Sequence, residues 1–575
     1  MRAALPQRAR SAPRSPLRQA VGLSTSGLIA VGVFSFFINL LMLVSPLYML
    51  QIYDRVLSSR SESTLLLLSL IVGAMLLVMG LLEIVRSRVL VRVSTRMDKA
   101  VATRVFEALF ARNALRRMNN QTQALRDVDN VRQFISGQGP FAFFDAPWAP
   151  IYIGIVFLFH PLLGVVALGG AVVLFVFALL TEWRTRGPLT EANQHAAKAN
   201  TFAEASLRNG EALQAMGMLP GIMRRWHGFN QQTLERQALA SDRAGTISGL
   251  TKFVRLGVQS AILGTGAWLA IHQIISPGAM IAASIIMGRG LAPIEQAIGS
   301  WRQFVAARGA WARLDDLLME TPAAPERMAL PPPKGHLAVE RAVVAPPGAD
   351  RAVLKGVSFA LEPGEALGLV GPSASGKSTL ARALIGVWPV QAGSVRLDGA
   401  DVFRWDHAHL GPHLGYLPQE VEVLDGTVAA NIARFADEID PGAVSQAAQK
   451  AGVHDMILRL PEGYDTLIGP HGIALSGGQR QRIGLARALY GNPRFVVLDE
   501  PNSNLDAEGE AALSRAIDQL RQEGCTLIIS SHRPNVMQHV DKILMLRDGV
   551  VEMFGPRQEI LQRLTRPANQ PKLVS

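Results

Sequence analysis

The residues Gly371, Pro372, Ser373, Ala374, Ser375, Gly376, Lys377, Ser378 and Thr379 follow an apolar run, Ala366–Val370, and open a helical stretch. A glycine-bearing loop between strand and helix lets backbone N–H groups and the helix N-terminus face phosphates. Lys377 then supplies positive charge to the β- and γ-phosphates of ATP, and Ser378 offers a hydroxyl to Mg²⁺. Further on, the apolar run Phe495–Leu498 ends in Asp499 and Glu500. Two acids at a strand end could be no more than solvated. Downstream of a phosphate loop, Asp499 is expected to hold Mg²⁺, directly or through water, and Glu500 to polarise the attacking water. His532 alone would be an unremarkable histidine; following the strand-like run Leu527–Ser530 and downstream of the two acids, it is expected to contact the γ-phosphate.

These groups need a scaffold, and the pattern after residue 336 provides one. Strand-like runs (Ala366–Val370, Phe495–Leu498, Thr526–Ser530) alternate with helical stretches, which is α/β architecture. Before it, Thr321–Gly335 carries Pro322, Pro325, Pro331, Pro332 and Pro333, and no helix or strand interior accommodates them. We therefore expect a linker at 319–336, an α/β domain at 337–565 and a tail at 566–575.

The long apolar runs lie before Ala297. A spanning helix needs about 20 mostly apolar residues, and six segments supply them: Gly27–Leu50, Thr64–Val85, Phe141–Phe159, Leu162–Leu180, Ile247–Ile271 and Ile274–Ile298. The polar segments Arg86–Gln138 and Thr181–Thr246 read as helical extensions of these spans on the cytoplasmic side. Arginine and lysine crowd the first of them, whereas the short loop Gln51–Ser63 offers only Arg55 and Arg60. The positive-inside rule then puts both long segments and the N-terminus in the cytoplasm, and six spans return the α/β domain there. Residues 21–318 are thus expected to be an α-helical six-span membrane domain.

Composition narrows the alternatives. The net charge of +11 is accounted for by arginines on cytoplasmic loops, so no nucleic acid is expected as partner. The single cysteine, Cys525, excludes a disulfide framework or a cysteine-rich metal site, and its apolar surroundings suit a buried strand thiol. The arginine-rich residues 1–20 read as a basic cytoplasmic tail. Pro6, Pro13 and Pro16 oppose the amphipathic helix of a transit peptide.

Leu475, Ser476, Gly477, Gly478 and Gln479 narrow the class of phosphate-loop protein further. With them, nearly the whole chain resembles ABC transporters, α-helical exporter domains joined to a P-loop ATPase. The resemblance implies that Ser476, Gly477, Gly478 and Gln479 of one subunit cap the γ-phosphate held by the other, in a homodimer. It also implies that Gln419 senses the γ-phosphate and joins Ser378 and Asp499 around Mg²⁺. Asp506 takes the place of a dimer-contact aspartate, and His532 that of a switch histidine. Two positions depart from the family pattern. Ala345–Gly348 (APPG) has no adenine-stacking aromatic, which puts base selectivity in doubt. Gly469–Gly472 (GPHG) lacks the usual acid ahead of the signature, which puts in doubt how that turn couples to the membrane loops.

In the membrane half, Ser45–Leu57 (SPLYMLQIYDRVL), Phe143–Tyr152 (FFDAPWAPIY), His160-Pro161 and Gly290–Ala297 (GLAPIEQA) resemble type I secretion exporters of the alkaline-protease kind (PrtD-like). No peptidase-like domain is expected before the first span. The resemblance implies a multi-pass protein of the bacterial inner membrane, among membrane lipid, moving unfolded secreted proteins. It also implies a periplasmic adaptor and a TolC-like outer-membrane channel. A lipid or small-amphiphile flippase is the alternative reading. A soluble DNA-repair ATPase is excluded by the six spans. Finally, Arg289 lies about 15 residues into the sixth span, some 20 Å deep, flanked by Gly288, Gly290 and Pro293. Two readings stay open for it: an ion pair, with Asp145 as partner, or the lining of the translocation path.

Overall fold

The computed structural model describes residues 17, 22, 24–115, 121–321, 330–349, 351–531 and 533–565. The N-terminal tail apart from Leu17, residues 322–329 of the proline-rich segment, His532 and the tail after 565 lie outside the described residues. The chain divides into a helical unit ending at Ala323 and an α/β unit beginning at Ala324.

In lipid every backbone polar group must be satisfied within its own segment, so the apolar runs fold as helices. The first rod, Thr25–Ser59, comprises α1 (Thr25–Leu41), α2 (Val44–Gln51), a π-helical turn at Ile52–Val56 and a last turn to Ser59. Then come α3 (Glu62–Leu115), α4 (Gln121–Ser136), α5 (Gly139–Asp145), α6 (Trp148–Phe159), α7 (Pro161–Arg208), α8 (Gly210–Ala215), α9 (Leu219–Ile271) and α10 (Pro277–Glu320). Five stretches are each long and apolar enough to cross a bilayer, and α5 with α6 makes a sixth when the two are taken together, bent by 45°. The span expected over Phe141–Phe159 is therefore a broken one. Pro147 and Pro150 lack the N–H groups that would carry the ladder through, and the break sits there.

Helices α3, α7 and α9 have 54, 48 and 53 residues. At 1.5 Å per residue, 50 residues reach about 75 Å, against about 30 Å of hydrocarbon. The polar segments are largely continuations of the membrane helices. Close packing inside the unit relies on small residues: a Cβ on Gly266 would lie 2.6 Å from Met280 Cγ. The start of α10 is capped from another span. Asp54, in the π-helical turn, accepts from Gly278 N–H at 2.9 Å and from the Ser276 hydroxyl at 2.5 Å. A carboxylate at that end also complements the helix dipole.

The α/β unit holds β1 (Leu337–Val344), β2 (Leu354–Leu361), β3 (Ala366–Val370), β4 (Ala392–Leu397), β5 (Ala400–Asp401) and β6 (Leu414–Leu417). It continues with β7 (Gly426–Thr427), β8 (Leu467–Ile468), β9 (Phe495–Asp499), β10 (Thr526–Ser530), β11 (Lys542–Arg547) and β12 (Val550–Pro556). The main sheet runs β12-β11-β3-β10-β9-β6, parallel from β11 to β6, and a smaller antiparallel sheet runs β2-β1-β4-β5. Strands β9 and β10 are buried along their whole length, as both faces of a parallel sheet must be. Their side chains alternate between two cores. Val496, Leu498, Leu527 and Ile529 pack with α12 (Gly477–Leu489) and α13 (Ala507–Gln522). Phe495, Val497 and Ile528 pack with α11 (Lys377–Leu384) and the smaller sheet. Cys525 belongs to the first core, and burial pushes its thiol up to about 12.

Within the helical unit a charged network is buried between spans. Arg86 on α3 and Asp145 at the end of α5 pair at 3.1 Å, and they are only 6% and 8% exposed. Asn39 donates to Asp145 at 2.8 Å, Arg86 to the Ser35 hydroxyl at 3.1 Å, and Tyr152 to the Asn39 carbonyl at 2.8 Å. The Asp145–Arg289 pair considered from the sequence does not form. Arg86 holds Asp145, and Arg289 is exposed on α10. Residue 86 sits at the inner end of the apolar run of α3, where its long side chain turns inward to the α5–α6 break. Removing one partner of a buried pair typically costs about 3–5 kcal/mol, because the other is left charged and desolvated. Asp145→Ala should therefore lower the thermal stability of the solubilised protein sharply, and Arg86→Met/Asp145→Leu should recover most of the loss. A single Asp145→Ala variant melting with the parent would show that the pair does not hold the broken span.

Candidate active site

Ligands of open parallel sheets bind beyond the C-terminal strand ends. Here β3, β6, β9 and β10 bring four loops to that edge. After β3 the chain must turn sharply into α11, and three residues take left-handed backbone: Gly371 (φ +155°), Ala374 (+65°) and Gly376 (+104°). A Cβ on Gly371 would collide with the Leu546 carbonyl, and one on Gly376 would lie 2.7 Å from Leu354 Cδ2. Glycine is required at both. Lys377 folds back over this loop, donating from Nζ to the carbonyls of Gly371 (2.8 Å) and Pro372 (3.1 Å). Ser378 and Thr379 follow it in the first turn of α11. Burial lowers the Lys377 ammonium below its ordinary range, opposed by the nearby carboxylates of Glu500 and Asp499.

Asp499 closes β9 and is 1% exposed. Among the described residues, neither of its oxygens has a donor in good hydrogen-bond geometry, and the Ser375 and Ser530 hydroxyls beside the loop are likewise buried without one. Burial raises the Asp499 carboxyl above the usual carboxylate range, and the neighbouring Ser378 and Ser530 hydroxyls offset part of that rise. Buried polar atoms left without partners point to a missing ion or ligand. A carboxylate beside serine hydroxyls is a donor set that fits Mg²⁺, and the helix N-terminus next to it fits phosphate.

Glu500 takes left-handed backbone (φ +50°), an uncommon conformation for a non-glycine residue that surrounding contacts must hold. Its N–H donates to the Ser530 carbonyl at 2.9 Å. Its carboxylate accepts from Gln419 Nε2 at 3.0 Å, so the loop after β6 is brought to the same edge. Lys377, Ser378, Gln419, Asp499 and Glu500 thus converge. Ser531 and Arg533 flank His532, whose own position lies outside the described residues.

The signature opens α12. Ser476 caps α12: its hydroxyl accepts from Gln479 N–H at 3.2 Å while Gln479 Oε1 accepts from Ser476 N–H at 2.8 Å, a reciprocal capping box. Among the described residues, Ser476, Gly477 and Gly478 make no hydrogen bond with residues 371–379 of their own chain. Asp506 caps α13 through Gly509 N–H (2.9 Å) and pairs with Arg482 (2.6 Å). The Gly509 hydrogen bond first, and then Arg482, hold its carboxyl below the ordinary range. In the turn before the signature, His471 pairs with Asp425 at 3.2 Å.

One residue that sequence reasoning missed stands out. Gln481, 2% exposed, donates to the Glu500 carbonyl at 3.1 Å and accepts from Asn504 N–H at 2.9 Å. Its signal was helical spacing: Gly477, Gln481, Gly484 and Ala488 share one face, and a polar side chain in a Gly/Ala stripe is out of place unless bonded.

The desolvated Asp499 generates a stability test. Its folded carboxyl titrates above the unfolded value, so the stability it contributes is present at acid pH and lost as pH rises through the folded value. Without Mg²⁺ and nucleotide, Asp499→Asn should melt at or above the parent at neutral pH, and the gap should close toward acid pH. A variant melting below the parent throughout would show that the carboxylate is satisfied within the fold.

Comparison with known proteins places this geometry. Residues 354–503 match the ABC transporter family, and residues 28–289 match the ABC transporter transmembrane region. The chain is 47% identical over 540 residues to the type I secretion system ATP-binding protein PrsD of Rhizobium meliloti, covering 94% of this chain and 93% of that one. It is 29% identical over 540 residues to the cyclolysin secretion/processing ATP-binding protein CyaB of Bordetella pertussis, covering 92% of this chain and 75% of that one. With the toxin RTX-I translocation ATP-binding protein of Actinobacillus pleuropneumoniae the identity is 28%, over the same shares of each chain. In fold alone, it resembles a bacterial Atm1-family ABC exporter with ATP bound, with a TM-score of 0.80 at 23% identity over 95% of this chain and 96% of that one. The chain belongs to the ABC transporter family, among the type I secretion system ATP-binding proteins.

Proposed function

We propose that this protein is the ATP-hydrolysing exporter of a type I secretion system, moving unfolded polypeptides out of the cytoplasm across the bacterial inner membrane. The observation that carries the reading is the identity to PrsD along nearly the whole of both chains. The relatives named for secretion and toxin translocation weigh against a lipid or small-amphiphile flippase. A periplasmic adaptor, a TolC-like channel and a secreted protein substrate complete the assembly.

In this reading the loop Gly371–Thr379 cradles the phosphates of ATP, with Lys377 against the β- and γ-phosphates. Ser378, Asp499 and Gln419 would hold Mg²⁺, which supplies charge neutralisation at the transferring phosphate. Glu500 orients and polarises the attacking water, and His532 contacts the γ-phosphate. Ser476, Gly477, Gly478 and Gln479 close the site from the second chain of a homodimer, with Asp506 at the dimer contact. The capped α12 N-terminus makes no hydrogen bond to the phosphate loop of its own chain among the described residues, which leaves it free to serve a second chain.

Arg289 is assigned to the translocation path. It is exposed on α10, and no hydrogen bond or ion pair is found for it among the described residues. The same unburied stripe carries Gly288, Ala292, Gln296, Gly299 and Gln303. Small and polar residues suit water or a second chain rather than lipid, where a charge is costly.

Two tests follow. Glu500→Gln should retain ATP binding while hydrolysis falls at least about a hundredfold, and Lys377→Ala should lose nucleotide affinity. Mixing Lys377→Ala chains with Ser476→Arg chains should restore part of the ATPase, because one site of the mixed dimer stays intact. No recovery in mixed dimers, or a fully active monomer, would contradict the composite site. For the path, Arg289→Ala should cut secretion at least about fivefold at parental chain abundance, since the lost charge-assisted contact is of the order of 1–2 kcal/mol. Arg289→Lys should keep most of it. Undiminished secretion by Arg289→Ala would remove the residue from the path.

A further inference from the structure

The loop from Glu500 to Asp506 is braced by two adjacent side chains of the signature helix. Gln481 reaches three of its residues. Its Nε2 donates to the Glu500 carbonyl at 3.1 Å and to the Ser503 hydroxyl at 3.3 Å, and its Oε1 accepts from Asn504 N–H at 2.9 Å. Arg482 takes the far end, pairing with Asp506 at 2.6 Å. The glycines of the signature lie against the same loop: a Cβ on Gly478 would stand 2.8 Å from the Asn504 carbonyl. Glu500 itself is held in left-handed backbone with φ +50°. Its N–H is fixed by Ser530, and its carbonyl by Gln481 and by Ser503 N–H at 3.2 Å. Such a conformation persists only where the surroundings over-determine it, and Gln481 is a buried side chain that bonds the Glu500 carbonyl.

We propose that Gln481 is a positioning residue. It fixes the backbone of Glu500 and ties it to the first turns of α12, so that the acid and the signature of one chain move as one body. Rigid coupling of that kind has a consequence in a dimer whose signature closes over the partner's nucleotide. Docking of Ser476 on one nucleotide sets the aim of Glu500 at the other. The inference rests on the reading of Glu500 as the water-polarising acid and of the site as composite. Burial makes the link stiff, because a buried amide with all three contacts made loses a full desolvation cost for any it gives up.

The experiment is a double-mutant cycle on the full-length purified chain, with Gln481→Met keeping the side-chain volume and deleting every hydrogen bond. In the parent background, kcat should fall about tenfold, the equivalent of one lost charge-free hydrogen bond at the transition state. The KM for ATP should stay within about twofold, while the melting temperature falls modestly for the Asn504 N–H left unpaired. In a Glu500→Gln background the same substitution should cost nothing further, since the group it aims is already gone. Parental kcat in Gln481→Met would overturn the proposal. So would an equal loss in both backgrounds, or a loss of kcat, ATP binding and melting temperature together, because each marks a merely structural residue. Glu500→Gln measured alone keeps the two questions apart: near-parental hydrolysis there would sink the assignment of Glu500, and this proposal with it.

Discussion

The carboxylate of Asp499 ends a strand that is buried along its whole length, with the Ser378 and Ser530 hydroxyls beside it. A charge in that position is tolerated only because the rest of the edge is built around it. Lys377 is buried nearby and shares the field of the two acids, and serine hydroxyls stand around the same space. The sheet order β3-β10-β9-β6 puts the phosphate loop, Ser530, the two acids and Gln419 side by side without any residue having to be near another in sequence. Preorganised, desolvated charge of this kind is strong toward a bound phosphate and costly when nothing is bound. The fold carries that cost in two well-packed cores, one on each face of the sheet.

The helical unit solves a different problem by the same means. Charged groups are kept out of lipid by pairing them across spans, as Arg86 does with Asp145 where α5 and α6 break. The break frees backbone groups at membrane depth, and an acid, an asparagine and a tyrosine hydroxyl gather there. Irregular backbone at that depth is permitted only when protein surrounds it. Asp54 performs a related service at the opposite end of the spans by closing the start of α10. Arg289 has no such partner among the described residues. It is exposed on its helix, and the stripe it shares is unsuited to hydrocarbon.

Much of this could be read from residue order, for reasons of range. A run of some 20 apolar residues can only be a helix in a bilayer, and a polar run rich in arginine continues it. The phosphate loop is legible because strand, glycine turn, lysine and helix are consecutive, and Asp499 with Glu500 because they close the apolar run Phe495–Leu498. What escaped depends on contacts between distant residues. Asp145 has Arg86 for its partner, 59 positions away, and nothing local distinguishes that choice from Arg289. The bend in the third span follows from Pro147 and Pro150, yet a hydropathy window averages over both. Gln481 reads as one more polar residue in a basic helix start until its neighbours on the helical face are compared.

The central claim is that two chains build each ATP site, and cross-linking tests it most directly. Cys525 is the only cysteine, buried and with a thiol pushed up to about 12, so introduced thiols can be followed without background. Chains carrying Ser373→Cys in the phosphate loop would be combined with chains carrying Ser476→Cys in the signature, then oxidised with and without ATP. The account predicts an ATP-dependent disulfide joining the two different chains. Hydrolysis by both chains with no such disulfide at any ATP concentration would contradict it.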